Sequence, residues 1–116
     1  GRETTLSSLI FLIFNISIVP VVEETIYRGY FMNTFFPKSE FYLDVILSSF
    51  IFGLSHLVLS HRDPISLIIY SILGLLFAVA YRVTGSLRFT IVCHSFYNVI
   101  PYAPSILFYI YYLIFR

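Results

Sequence analysis

Residues 4–28 read TTLSSLIFLIFNISIVPVVEETIYR, and this stretch decides the fold. No charge occurs over 4–22; two adjacent carboxylates, Glu23 and Glu24, then follow, with Arg28 four positions after Glu24. A run of that length matches the roughly 17 to 25 apolar residues that cross a hydrocarbon core of about 30 Å. It is too long for the apolar region of a signal peptide, and Glu-Glu follows it where a small-residue cleavage site would stand. Further uncharged runs occupy 45–61, 64–81 and 89–115. Backbone amides in lipid must be satisfied by helices or by a closed barrel, and the non-alternating LIFLIF pattern selects helices. The expectation is an all-α, polytopic transmembrane bundle of about four to five helices, forming one membrane-embedded domain over 1–116.

Composition agrees. The 116 residues are 59% hydrophobic and 11% charged, against about 25% charged in soluble domains. Seven Lys and Arg against six Asp and Glu leave a net charge of +1, which argues against a nucleic-acid partner. The single cysteine, Cys93, has no partner for an internal disulfide or a thiolate metal site. Position 1 is Gly rather than Met, and we expect the chain to be a segment of a longer protein.

Breakers and charges set the layout. A first helix over about 4–36 is expected to kink near Pro20 and to end at Pro37 and Lys38. A second covers about 40–60, and Asp63-Pro64 opens a third that ends near Tyr81. Thr84-Gly85-Ser86 forms a turn. Pro101 and Pro104 divide the last run into helices over about 87–100 and 105–115. Tyr109, Tyr111 and Tyr112 read as an aromatic belt or lipid-facing packing. In an alternating model Lys38, Arg82, Arg88 and Arg116 face one side and Arg2 and Arg62 the other, so the first side is expected to be cytoplasmic.

Most polar residues have ordinary explanations: Ser and Thr bond back to carbonyls, Arg62 and Arg82 snorkel, Asn15 joins two helices, and His61 sits at the interface. Glu23, Glu24, Arg28, His56, His94 and Asn98 do not. Ionisable groups in a bilayer cost about 2.5 to 3.5 kcal/mol each, so they face one another or a cavity. Glu24 and Arg28 share a helix face in the favourable acid-first order, and Glu23, about 100° around, is left for another task. His94 and Asn98 also share a face, as do Phe52 and His56. Counting 1.5 Å per residue from the connecting loops puts Glu24 and His56 at about 20 and 18 Å depth, and His94 and Asn98 about 9 and 15 Å from Arg88. All these groups can therefore meet in one internal pocket.

Peptide-bond hydrolysis needs an activated water, a group that takes its proton and donors for the developing oxyanion. Glu23 suits the base. His56 could hold the same water, while His94 and the Asn98 amide offer donors. Alternatively Glu23, His56 and His94 could hold a divalent metal such as zinc, with water in the open position. The residues alone leave both open. HExxH is absent, which argues against a zincin. Ser55 beside His56 and Ser95 beside His94 diverge around their helices and form no dyad.

Glu23-Glu24-Thr-Ile-Tyr-Arg28 reads as EExxxR, Phe52-Gly-Leu-Ser-His56 as FxxxH and His94-Ser-Phe-Tyr-Asn98 as HxxxN. This ordered trio resembles the CAAX prenyl endopeptidase and bacteriocin-processing family of intramembrane proteases, also called the CPBP or Abi family. The resemblance covers residues 23–98. It implies an intramembrane endopeptidase in which Glu23 and His56 activate water and Glu24 and Arg28 support them. His94 and Asn98 would stabilise the oxyanion or, in the metalloprotease view, help to bind a metal. Further membrane helices before the first motif are usual in the family. The implied substrates are peptides or membrane proteins, whether prenylated or carrying a bacteriocin leader. The short, Phe- and Tyr-rich form points to a bacterial cell membrane and to peptide processing or self-immunity. A non-enzymatic membrane protein, such as an immunity scaffold or a proton-conducting fragment, is the alternative.

Overall fold

The computed structural model describes residues 2–35, 40–59 and 63–116, with side chains described for 6–35, 40–58 and 63–116. The expectations placed on Phe36, Pro37, Lys38, Ser60, His61 and Arg62 lie outside the described residues. The chain runs α1 (Arg2–Ile16), α2 (Ile18–Glu24), a π-helix (Thr25–Met32), a 3-10 turn (Glu40–Tyr42), α3 (Leu43–Leu59), α4 (Pro64–Thr84), α5 (Leu87–Val99), a second 3-10 turn (Ile100–Tyr102) and α6 (Ala103–Phe115). Four stretches are long and apolar enough to cross a membrane: Leu6–Met32, Glu40–Val58, Pro64–Thr84 and Leu87–Phe115. No strand occurs among the described residues.

The first span breaks near Pro20, as expected. The break falls at Ser17, one turn earlier, because Pro20 has no N–H to offer the Ile16 carbonyl and its ring crowds that carbonyl. The Ser17 hydroxyl closes the end of α1 by donating to the Ile13 carbonyl at 2.6 Å. After Glu24 the backbone widens into the π-helix, a form that recurs at functional sites. Its last carbonyls are met by the Asn33 amide, which donates to Gly29 O at 2.9 Å and to the Tyr81 hydroxyl oxygen at 2.7 Å.

Loop chemistry sets the remaining boundaries. The second helix starts later than expected, because Phe41 and Tyr42 adopt positive φ of 60° and 55° ahead of α3. Asp63 caps α4 as expected: its Oδ1 accepts the Ser66 N–H at 2.8 Å, and Pro64 opens the helix. Helix α4 continues to Thr84, three residues past the expected end, and stops at Gly85 in the left-handed conformation with φ 65°. The Ser86 hydroxyl then caps α5 by accepting the Phe89 N–H at 3.0 Å. Pro101 and Pro104 divide the final run as expected: α5 ends at Val99, the 3-10 turn carries Pro101, and α6 starts at Ala103 with Pro104 in its first turn, where a missing N–H is harmless. The two helices nevertheless continue one apolar stretch over Leu87–Phe115, with Arg88 and Arg116 at its two ends, which weakens the charge asymmetry behind the expected orientation. Tyr109, Tyr111 and Tyr112 point outward, as expected.

Burial is inverted relative to a water-soluble domain. Large apolar side chains cover the outside, while Glu24, Arg28, Asp44, Ser48, Ser49, Thr90 and His94 are buried beside Met32, Val45, Phe52, Phe77 and Ala78. Arg82, at the end of α4 where it was expected to snorkel, donates to buried Asp44 at the start of α3, with its guanidinium 4.8 Å from the Tyr42 ring centre.

Helices α3 and α4 pack through small residues, as membrane helices do when their backbones approach closely. A Cβ at Gly53 would lie 2.0 Å from Ser71 Oγ and 2.9 Å from the Leu67 carbonyl, and one at Gly74 would lie 3.2 Å from Ser49 Cα. Backbone atoms cannot rotate away, so Gly53→Ala should separate the two helices. We expect it to lower stability by about 1 to 3 kcal/mol, read as a fall in the thermal midpoint in detergent; an unchanged midpoint would contradict this close approach.

Candidate active site

The polar residues singled out in the sequence sit on α2, the π-helix, α3 and α5, and most of them meet. Glu24 at the end of α2 and Arg28 in the first turn of the π-helix are both fully buried, with Nε and Oε1 3.2 Å apart. Arg28 also donates through Nη2 to the Gly74 carbonyl of α4 at 2.6 Å. Its guanidinium carbon lies 4.9 Å from the Phe52 ring centre and 5.9 Å from those of Tyr27 and Phe77, near enough for cation–π attraction. The other oxygen of Glu24, Oε2, lies 2.7 Å from Nδ1 of His94 on α5. Five helical elements, α2, the π-helix, α3, α4 and α5, thus meet at one ion pair.

Glu23 points elsewhere, as its place around the helix requires. With Glu24 offset by Arg28, Glu23 is the carboxylate left to the imidazoles. Its Oε1 lies 3.9 Å from His56 Nε2 and its Oε2 3.6 Å from His94 Nε2. Both separations exceed a direct hydrogen bond and suit a shared water. Oε2 is buried and has no hydrogen-bond partner among the described residues. The Nδ1 of His56 lies 2.8 Å from the Phe52 carbonyl. A carbonyl only accepts, so that nitrogen carries the proton and Nε2 is the atom turned to Glu23. The group borders a cavity of about 610 Å³ lined by α1, α2, α3, α4, α5 and the second 3-10 turn.

Asn98 reaches the cavity wall, with one N–H committed: Nδ2 donates to the Asn15 carbonyl on α1 at 2.9 Å. This bond ties α5 to α1 just before the Ser17 break through the Asn15 main-chain carbonyl; the Asn15 side chain, expected to join two helices, donates instead to the Phe11 carbonyl of its own helix at 3.0 Å. Phe52 is packing, as expected: it is 2% exposed and lies edge-on to Tyr27 with ring centres 5.2 Å apart. Ser55 donates to the Phe52 carbonyl and accepts from the Tyr27 hydroxyl.

Sequence reasoning missed α4. Its Tyr70 stacks on His56 with ring centres 4.2 Å apart, and its Phe77 stacks on His94 at 4.5 Å. The seven-residue interval between them was the available signal, but a helix apolar on every side gives no face to read.

The two imidazole Nε2 atoms, the candidate nitrogen ligands of a metal, approach different oxygens of the Glu23 carboxylate. Among the described residues no three His, Cys, Asp or Glu side chains could hold a metal ion.

Removing one member of a buried ion pair costs about 3 to 5 kcal/mol, because the other charge is left uncompensated. We expect Glu24→Gln and Arg28→Met each to lower the thermal midpoint sharply. The combined variant should be less damaged than the two single losses added together, and strict additivity would contradict the pairing.

Three comparisons bear on this geometry. The family model Type II CAAX prenyl endopeptidase Rce1-like matches residues 5–100. A Bacillus subtilis (strain 168) protein described as "Putative membrane peptidase YdiL" is 32% identical over 79 residues, which is 68% of this chain and 30% of that protein. An uncharacterized protein of Mycoplasma capricolum subsp. capricolum is 33% identical over 93 residues, 79% of this chain and 26% of its own length. The chain thus spans under a third of either relative. No solved structure matches it. The family match includes all three polar motifs and the helices that carry them, and the chain belongs to the Type II CAAX prenyl endopeptidase Rce1-like family.

Proposed function

We propose that this chain carries the catalytic centre of an intramembrane endopeptidase in which Glu23 activates water. The observation that carries the reading is the placing of the Glu23 carboxylate between two imidazole Nε2 atoms, at 3.9 and 3.6 Å, on the wall of a cavity among membrane-spanning helices. A water held by Glu23 and His56 Nε2 loses a proton to Glu23 while its oxygen attacks the substrate carbonyl carbon. The developing oxyanion is met by the second N–H of Asn98 and by Nε2–H of His94, which enters this scheme as the imidazolium with its Nδ1–H donated to Glu24. When the C–N bond breaks, Glu23 returns its proton to the leaving amine. Glu24 and Arg28 touch no reacting atom in this scheme; they hold His94.

The substrate we propose is an extended peptide entering from the bilayer, since Phe11, Val19, Phe52, Ile69 and Leu73 line the cavity beside the polar groups. The Bacillus and Mycoplasma relatives support a bacterial cell membrane as the setting. Prenylated C-terminal peptides, bacteriocin leaders and apolar membrane segments are the three classes to compare. A divalent metal is the second reading, favoured by one observation: both histidines turn Nε2 toward the same carboxylate.

The test uses the full-length protein in liposomes with quenched fluorescent peptides of those three classes. Glu23→Gln should reduce kcat by about 10² to 10⁴-fold, the usual worth of a positioned base, with the thermal midpoint retained, and His56→Ala should behave similarly. Cleavage should persist in 1,10-phenanthroline. Loss that zinc restores would establish the metal reading instead, and full activity in Glu23→Gln would end the protease assignment of this site.

A further inference from the structure

Helix α4 carries none of the three polar motifs, yet one of its faces closes over the site. Ser66, Ile69, Tyr70, Leu73 and Phe77 line the cavity from it, at the spacing of a single helical face. Two of these rings meet the imidazoles flat. Tyr70 lies on His56 with planes 13° apart, and Phe77 on His94 with planes 17° apart. Seven residues make about two turns, so the same α4 face delivers both stacks.

Torsional chemistry gives the contact its meaning. The terminal torsion of a histidine is broad and soft. A hydrogen bond at Nδ1 fixes where that atom lies and leaves the ring able to swing about the bond. The Phe52 carbonyl anchors Nδ1 of His56 in this way, and Glu24 anchors Nδ1 of His94. A flat aromatic against the ring face stops the swing. Anchor and stack together aim both Nε2 atoms at Glu23.

We propose that Tyr70 and Phe77 are positioning residues that fix the imidazole planes of His56 and His94 for the reaction at Glu23. The functional half of this inference rests on the protease reading given above. Tyr70 is the better site to test, because it is only partly buried on the cavity wall, whereas Phe77 is part of the core.

Histidine-labelled full-length protein in detergent micelles supplies a readout that needs no substrate, and three histidines in these 116 residues keep their assignment tractable. The ring-proton resonances of His56 should be shifted upfield by the Tyr70 face, lose that shift in Tyr70→Leu and keep it in Tyr70→Phe. In Phe77→Leu the same loss should appear at His94, with a thermal melt confirming the fold. On a quenched apolar peptide that the unaltered protein cleaves, Tyr70→Leu should lower kcat roughly three- to tenfold, with KM within about twofold, and Tyr70→Phe should restore it. Persistence of the upfield shift in Tyr70→Leu, unchanged kcat in that variant, or equal damage in Tyr70→Phe would overturn the proposal. If the unaltered protein cleaves none of the peptides, the protease reading fails, and the resonances still decide whether the rings are held.

Discussion

A guanidinium and a carboxylate with no exposure to solvent, Arg28 and Glu24, set the terms for everything packed around them. Taking two charges out of water is expensive, and their mutual attraction offsets that cost only when the remaining donors and acceptors are also met. The partners come from separate parts of the chain: the Gly74 carbonyl from α4, His94 from α5 and the ring of Phe52 from α3. Surrounding one ion pair thus draws on most of the bundle, although Arg28 Nη1 keeps no hydrogen-bond partner among the described residues. In lipid, where burial of apolar area does little to join one helix to another, such polar ties and close backbone contacts take over that task. The approach at Gly53 and Gly74 is part of the same requirement, since it brings the Gly74 carbonyl within reach of Arg28.

The pair also determines what Glu23 can do. Adjacent carboxylates on a helix diverge by about 100°, and because Glu24 is held by Arg28 and His94, Glu23 alone faces the cavity and the two Nε2 atoms. His94 belongs to both halves: Nδ1 faces the structural pair and Nε2 faces Glu23. A change at Arg28 would therefore reach the chemistry through the orientation of His94, without Arg28 touching a reacting atom.

Much of this was legible in the sequence because charge is so costly in a membrane span that its presence there is informative. Glu23, Glu24, Arg28, His56 and His94 announced themselves by type, their faces followed from helical spacing, and counting residues back to the loops gave Glu24 and His56 matching depth, while it set His94 about 9 Å in although its ring meets Glu24. The rest was hidden for physical reasons. A π-helix over Thr25–Met32 uses ordinary residues, and only the backbone register distinguishes it. Tyr70 and Phe77 were invisible because composition separates no side of α4 from another. The Asn98 amide was assigned by spacing to the oxyanion, and its bond to the Asn15 carbonyl depends on where α1 ends, which spacing cannot supply.

The convergence of α2, α3 and α5 on one chamber is the claim on which the chemistry rests, and cysteine cross-linking in native membranes measures it directly. In a Cys93→Ser background of the full-length protein, the pairs Glu23→Cys with His94→Cys and Glu23→Cys with His56→Cys should be joined readily by a thiol-specific bifunctional reagent spanning about 8 to 10 Å, since contacts made by the tips of long side chains leave the Cα atoms farther apart than the roughly 7 Å a disulfide bridges. Val22→Cys, at an outward-facing position, should be joined to neither partner. Failure of both Glu23 pairs, or equal cross-linking from position 22, would contradict a shared internal site.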